Sequence, residues 1–256
     1  MPFHALHPER NERISVTDYR KYIGSRPIGA SLARPRARCP LCGNTLAVRA
    51  VNPNRRAHFW HDLDRCVVVQ FGRSPYDDLV VNPVHPEQAH NLKAAFRAHW
   101  RSYYQLLMRL VPKLSVHEFC ELLTRAERHS IWHLVNLQLT QVPYVLVMLA
   151  DFPPWTGLPA RGPYAGREYW YRFWFLDGPH DLTQLWMMDP PATGIVRGQF
   201  NPPENQDGFP ESEDFDFEIF QLDNEFLNQQ VGPMNPYIEE RVVAVLDELR
   251  FPRQIR

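Results

Sequence analysis

Three of the four cysteines and two of the eleven histidines fall in one stretch, CPLCGNTLAVRAVNPNRRAHFWHDLDRC, residues 39–66. Two thiolates held in a CPxCG turn form half of the tetrahedral set that zinc favours, and the glycine permits the left-handed turn that follows. Cys39 and Cys42 supply this knuckle. His58, His61 and Cys66 compete for the two remaining places. His61 with Cys66 is the preferred pair, since it leaves three thiolates and one imidazole. His58 with His61 is the alternative, with Cys66 nearby and unbound. Donors outnumber the positions, so a closed structural Zn²⁺ site is expected rather than one that keeps a place open for water. A redox CxxC would sit in a βαβ unit, and a cytidine deaminase would need H-x-E before P-C-x-x-C. The sequence has neither.

Arginines surround this segment. Arg36, Arg38, Arg49, Arg55 and Arg56, with Phe59 and Trp60 among them, suit phosphate contact and base stacking. The other reading of the same residues is a basic face that docks on an acidic part of the chain. Net charge is −1, yet residues 1–75 carry 13 basic and 5 acidic residues, whereas residues 151–256 carry 8 and 18. No Lys or Arg occurs from Gly198 to Glu240. The acidic run holds Glu204, Asp207, Glu211, Glu213, Asp214, Asp216 and Glu218, and it is either a solvated loop or a surface for a basic partner.

Other constellations carry less. Glu87 and His90 form a single ExxH, and a di-iron bundle needs two. His129 and His133 are four apart but lack the HExxH glutamate. Cys120 lies on an apolar helix face and reads as a core thiol. Without GxSxG, P-loop or GxGxxG, a serine hydrolase, an ATPase and a dinucleotide enzyme are not expected.

CPLCG, then RRAHFWHDLDRC, then EQAHNLK resembles the N-terminal part of the competence protein CoiA-like family, over about residues 36–100. The resemblance implies a zinc ribbon, carried on Cys39, Cys42, His58, His61 and Cys66, joined to a restriction-like nuclease fold that acts on DNA. The nuclease part does not carry over. Such sites place a lysine two residues after an acid, and neither Lys21, Lys93 nor Lys113 stands there.

The elements that must position these residues follow from periodicity and punctuation. A short helix is expected at Val16–Ile23, and a strand pair from Thr45–Val51 into the segment after PNRRA. Pro86 starts a helix whose apolar residues Leu92, Phe96, Trp100, Tyr103, Leu107 and Leu110 recur at three and four, and Pro112 ends it. SVHE is a capping box that opens the next helix. A third short helix is expected near Ile131–Leu137. YVLVMLADF reads as a buried strand, with a short buried helix as the alternative. GREYWYRFWFLDG reads as an aromatic strand, hairpinned with Leu182–Asp189, and Pro190 to Ser212 as a loop. FDFEIFQL is a further strand. Asn235 caps a last helix with Pro236 at its first position.

The expected class is α+β: a basic zinc-ribbon module over residues 1–75, a helical region over 76–141, and an acidic aromatic α+β region over 142–256, with an antiparallel sheet and a closing helix. No apolar run is long enough to cross a membrane and no signal-peptide stretch opens the chain, so a cytoplasmic protein is expected. Three functions compete. The first is a zinc-binding accessory protein acting on or near nucleic acid, in a prokaryotic DNA-processing or defence system by the resemblance. The second is a nonenzymatic adaptor or inhibitor that binds a protein through the acidic C-terminal half. The third is a divergent metal-dependent nuclease.

Overall fold

Proline and a long apolar stripe set the first large element. The structure, a computed structural model, describes residues 4–24, 35–40, 42–49, 57–60, 85–134, 137–154, 166–176, 194–202 and 215–253. Two hairpins and a helix come first: β1 (His4–Leu6) with β2 (Arg13–Ser15), α1 (Val16–Gly24), then β3 (Ala47–Arg49) with β4 (His58–Trp60). The helices α2 (Pro86–Leu110), α3 (Val116–Arg128) and α4 (Val142–Met148) follow. Strands β5 (Trp170–Phe175), β6 (Gly194–Phe200) and β7 (Phe215–Gln221) form an antiparallel sheet, and α5 (Pro236–Glu248) closes the chain. The class is α+β.

Local chemistry explains the helix ends. Pro86 begins α2, where its missing N–H costs no helix bond. Ser115 and Glu118 form the reciprocal capping box of α3, each side chain taking the other's backbone amide. The Asn235 side chain accepts from the Tyr237 amide at 2.9 Å and opens α5. Where a short helix is expected at Ile131–Leu137, the described residues form one 3-10 turn, Ile131–His133.

Two expectations are overturned. YVLVMLADF does not form a strand: its first five residues lie in α4, all of whose residues are buried against α2, α3 and β5. A helix enclosed on every side is apolar all round, so its sequence has no stripe to distinguish it from a buried strand. Pro143, in the first turn, is the local signal that favours the helix. Residues 194–200, expected within a loop, are instead the central strand of the sheet. Two glycines disguise it, and both are required by close approach. A Cβ on Gly194 would lie 2.7 Å from the Phe220 carbonyl oxygen, and one on Gly198 would lie 2.6 Å from the Trp174 ring. The expected hairpin partner, Leu182–Asp189, lies outside the described residues.

Side chains of the sheet alternate between two apolar clusters. Tyr171, Phe173, Phe175 and Ile195 point into the helical core with Phe96, Trp132, Leu146 and Phe251. Trp174, Val196, Phe200 and Phe217 point the other way and pack with Leu6, Tyr19, Cys39 and Phe59 of the N-terminal segment. The sheet is therefore sandwiched, and burial on both faces is why WYRFWF reads as an unbroken aromatic run.

Three arginines fasten the sheet region to its surroundings. Arg172 makes a bidentate pair with Asp151. Arg197 donates to the Leu110 carbonyl at 2.6 Å and to Glu218 at 2.8 Å. Arg167 donates to the Pro153 and Pro112 carbonyls and to Glu118 at 2.5 Å. Leu110 ends α2, so Arg197 also meets the negative end of that helix. All three arginines are buried, a state that charged groups hold only when paired.

Candidate metal knuckle and nucleic-acid face

The CPLCG turn closes between paired backbones. Leu46 N–H donates to the Ala37 carbonyl at 2.7 Å, and Cys39 N–H to the Asn44 carbonyl at 2.8 Å. Inside this ladder Gly43 N–H donates to the Cys39 carbonyl at 3.0 Å, with Gly43 at φ +68°. A Cβ at Gly43 would meet nothing within 4 Å, so its left-handed backbone and not a lack of space calls for glycine. Cys39 is buried and Cys42 half-buried, both against the N-terminal apolar cluster.

The remaining candidate ligands are divided. His58 sits in β4, its ring buried, opposite Arg49 of β3. His61 and Cys66 lie outside the described residues. Among the described residues no group of three or more His, Cys, Asp or Glu side chains is gathered to hold a metal ion. The structure thus brings Cys39 and Cys42 into one turn. In the donor chemistry of that turn, two soft thiols backed by a left-handed glycine, the residues present fit half of a zinc site.

Beside the knuckle, the β3–β4 hairpin has two unlike faces. Val48 and Phe59 are paired across it and turn toward the apolar cluster, where Phe59 meets Tyr19 edge-on at 5.6 Å. Ala47, Arg49, His58 and Trp60 share the opposite face by strand alternation. There the Arg49 guanidinium stacks over the Trp60 ring, 3.1 Å from its centroid, a diagonal cross-strand pair. Arg49 is exposed and Trp60 partly so.

The other arginines separate. Arg36 is exposed. Arg38 is committed inward: it donates to the His7 and Arg10 carbonyls and to the Asn11 side chain at 2.7 Å, tying down the turn between β1 and β2. Arg55 and Arg56 lie outside the described residues. Of the acidic run, Asp216 receives Arg13 at 2.6 Å and Glu218 receives Arg197. Glu204, Asp207, Glu211, Glu213 and Asp214 lie outside the described residues.

The lesser constellations resolve simply. Glu87 and His90 are exposed in the first turns of α2, and Glu87 lines an open hollow with Gln88, Asn91, Leu137 and Leu139. His129 ends α3 and His133 ends the following 3-10 turn, so the two do not occupy successive turns of one helix. Cys120 is a buried core thiol whose desolvation pushes its pKa up, away from reactivity.

Sequence reasoning missed the role of Arg13 and of the buried arginines. The signal was present: Arg172 and Arg197 interrupt otherwise apolar strands, and a charge in such a run marks a buried pair. Comparison with known protein families, curated proteins and solved structures gives no match.

Proposed function

We propose that residues 1–75 form a zinc-stabilised module that binds nucleic acid, carried on the sheet of an α+β body. The observation that carries this reading is the Arg49–Trp60 stack, exposed on a hairpin next to the CPLCG knuckle. A guanidinium spread on an indole offers a flat cationic platform, which suits both phosphate contact and base stacking. Cys39 and Cys42 would supply two zinc ligands, and His58, His61 and Cys66 are the candidates for the others. The metal's task in this reading is to fix the turn that supports the hairpin. The likeness of residues 36–100 to the CoiA-like family supports a setting in prokaryotic DNA processing or defence.

The rival readings meet specific obstacles. Of the acidic run that a protein partner would meet, Asp216 is already held by Arg13 and Glu218 by Arg197. A nuclease would gather carboxylates around a metal ion; among the described residues no such group is found, and Glu118, Asp151 and Glu218 are each paired with an arginine.

Two measurements on the purified full chain test the proposal. Elemental analysis should find zinc bound, and lost in the Cys39→Ser/Cys42→Ser variant. Fluorescence anisotropy with labelled oligonucleotides should show binding that weakens with salt, and Arg49→Ala or Trp60→Ala should weaken it about tenfold. Zinc-free protein would defeat the metal half, and salt-insensitive or absent binding the nucleic-acid half.

A further inference from the structure

The N-terminal hairpin is pinned to the sheet by three polar side chains at one point. Arg13 of β2 reaches across to β7, where its guanidinium contacts both oxygens of Asp216, at 2.6 and 2.8 Å, and donates to the Phe217 carbonyl at 3.2 Å. The same guanidinium nitrogen lies 2.8 Å from Nδ1 of His4, on the paired strand β1. His4 Nδ1 is in turn 3.5 Å from Asp216. Asp18 of α1 is the further charged group whose field reaches His4.

The Arg13–His4 contact is sensitive to the protonation state of the imidazole. A guanidinium only donates, so a hydrogen bond from Arg13 needs a lone pair on the imidazole nitrogen it faces, Nδ1 at 2.8 Å with Nε2 at 3.3 Å, and a neutral ring supplies one. A proton on Nδ1 would end that hydrogen bond and set two cations in contact over one carboxylate. We propose that His4, Arg13 and Asp216 form an acid-sensitive latch, closed while His4 is neutral and loosened when His4 takes a proton.

Burial and the Arg13 charge hold the His4 pKa below its usual 6.5, outweighing the attraction of Asp216 and Asp18 for the proton. The sign follows. The docked hairpin disfavours a proton that the released hairpin accepts, so docking weakens as pH falls through 6.5. The effect spreads along the backbone, because Leu6 of β1 exchanges both of its backbone hydrogen bonds with Arg38, the residue before Cys39. This inference stands apart from the nucleic-acid reading and needs no metal.

Hydrogen exchange on the full chain, expressed as protection factors so that the intrinsic pH dependence cancels, tests it. The amides of Leu6 and Arg38 should lose protection at least about threefold from pH 7.5 to 5.5, while α2 amides stay unchanged. His4→Gln keeps an acceptor for Arg13 without titrating and should flatten the profile. Asp216→Asn should lower protection at both pH values. A flat wild-type profile, or an unchanged pH step in His4→Gln, overturns the latch.

Discussion

Arg97 of α2 donates to the Asp247 carboxylate at 2.5 Å and to the Phe251 carbonyl at 2.9 Å, so one guanidinium binds the last turn of α5 and the chain just beyond it. Arg101 repeats the link one turn on, to Glu239 at 2.9 Å. Residue number rises along α2 as it falls along α5, so the two helices run antiparallel across this seam. Phe251 is the apolar counterpart, its ring edge-on to Trp132 at 5.1 Å and tilted on Phe96 at 5.8 Å.

The two halves of the Arg97 fork should differ in weight. Arg97 is largely buried and its bond to the Phe251 carbonyl is shielded, so Arg97→Ala should cost about 1.5–3 kcal/mol in urea unfolding. Asp247 is open to solvent and also meets Arg253, so Asp247→Asn should cost clearly less. Equal losses would show that the ion pair and not the carbonyl bond ties α5 down.

Helix α5 ends in a Schellman motif with an unusual occupant. Phe251 N–H donates to the Leu246 carbonyl at 2.9 Å and Arg250 N–H to the Asp247 carbonyl at 3.1 Å, which puts Arg250 in the left-handed region at φ +57°. A side chain there costs roughly 1–2 kcal/mol that glycine avoids, offset in part by glycine's greater freedom when unfolded. Arg250→Gly should therefore raise the melting temperature. A lower one would mean that the Arg250 side chain contributes more than its backbone loses.

Gly198 predicts the opposite sign. The Cβ of Gly198→Ala would meet a buried tryptophan ring at 2.6 Å and the Phe200 ring at 3.0 Å, with no flexible chain end to give way. Overpacking of this kind costs about 1–3 kcal/mol, and the sheet face that carries the N-terminal module should loosen with it. Urea unfolding with a neutral result would show that Trp174 repacks freely.

Much of the fold is legible because its signals are local. The Ser115 box, the Asn235 cap, Pro86 and the stripe from Leu92 to Leu110 each act within a turn or two of where they are read. The failures come from tertiary context. In α4 burial on all sides erases the stripe, and β6 owes its glycines to Phe220 and Trp174, residues from other strands. At the candidate site the same division holds. The Gly43 turn and the β3–β4 pairing follow from neighbours in sequence, whereas the commitment of Arg38 to the 7–11 turn depends on a segment nearly 30 residues away.

Acid should test the Glu118–Arg167 pair selectively. Burial alone would raise the Glu118 pKa, but the hydrogen bond from buried Arg167, the Ser115 amide and the Arg167 charge together hold it below its ordinary 4.5. A carboxylate depressed in the folded state binds its proton more readily when unfolded. Its stabilisation is complete above pH 4.5 and is lost as pH falls through the lowered value. Glu118→Gln leaves Arg167 buried without its counter-charge and should destabilise the protein by about 3–5 kcal/mol near neutrality. The gap between variant and wild type should then narrow steadily below pH 4.5, measured as unfolding free energy in urea at each pH. A gap that stays constant to pH 3 would show that Glu118 does not titrate with folding.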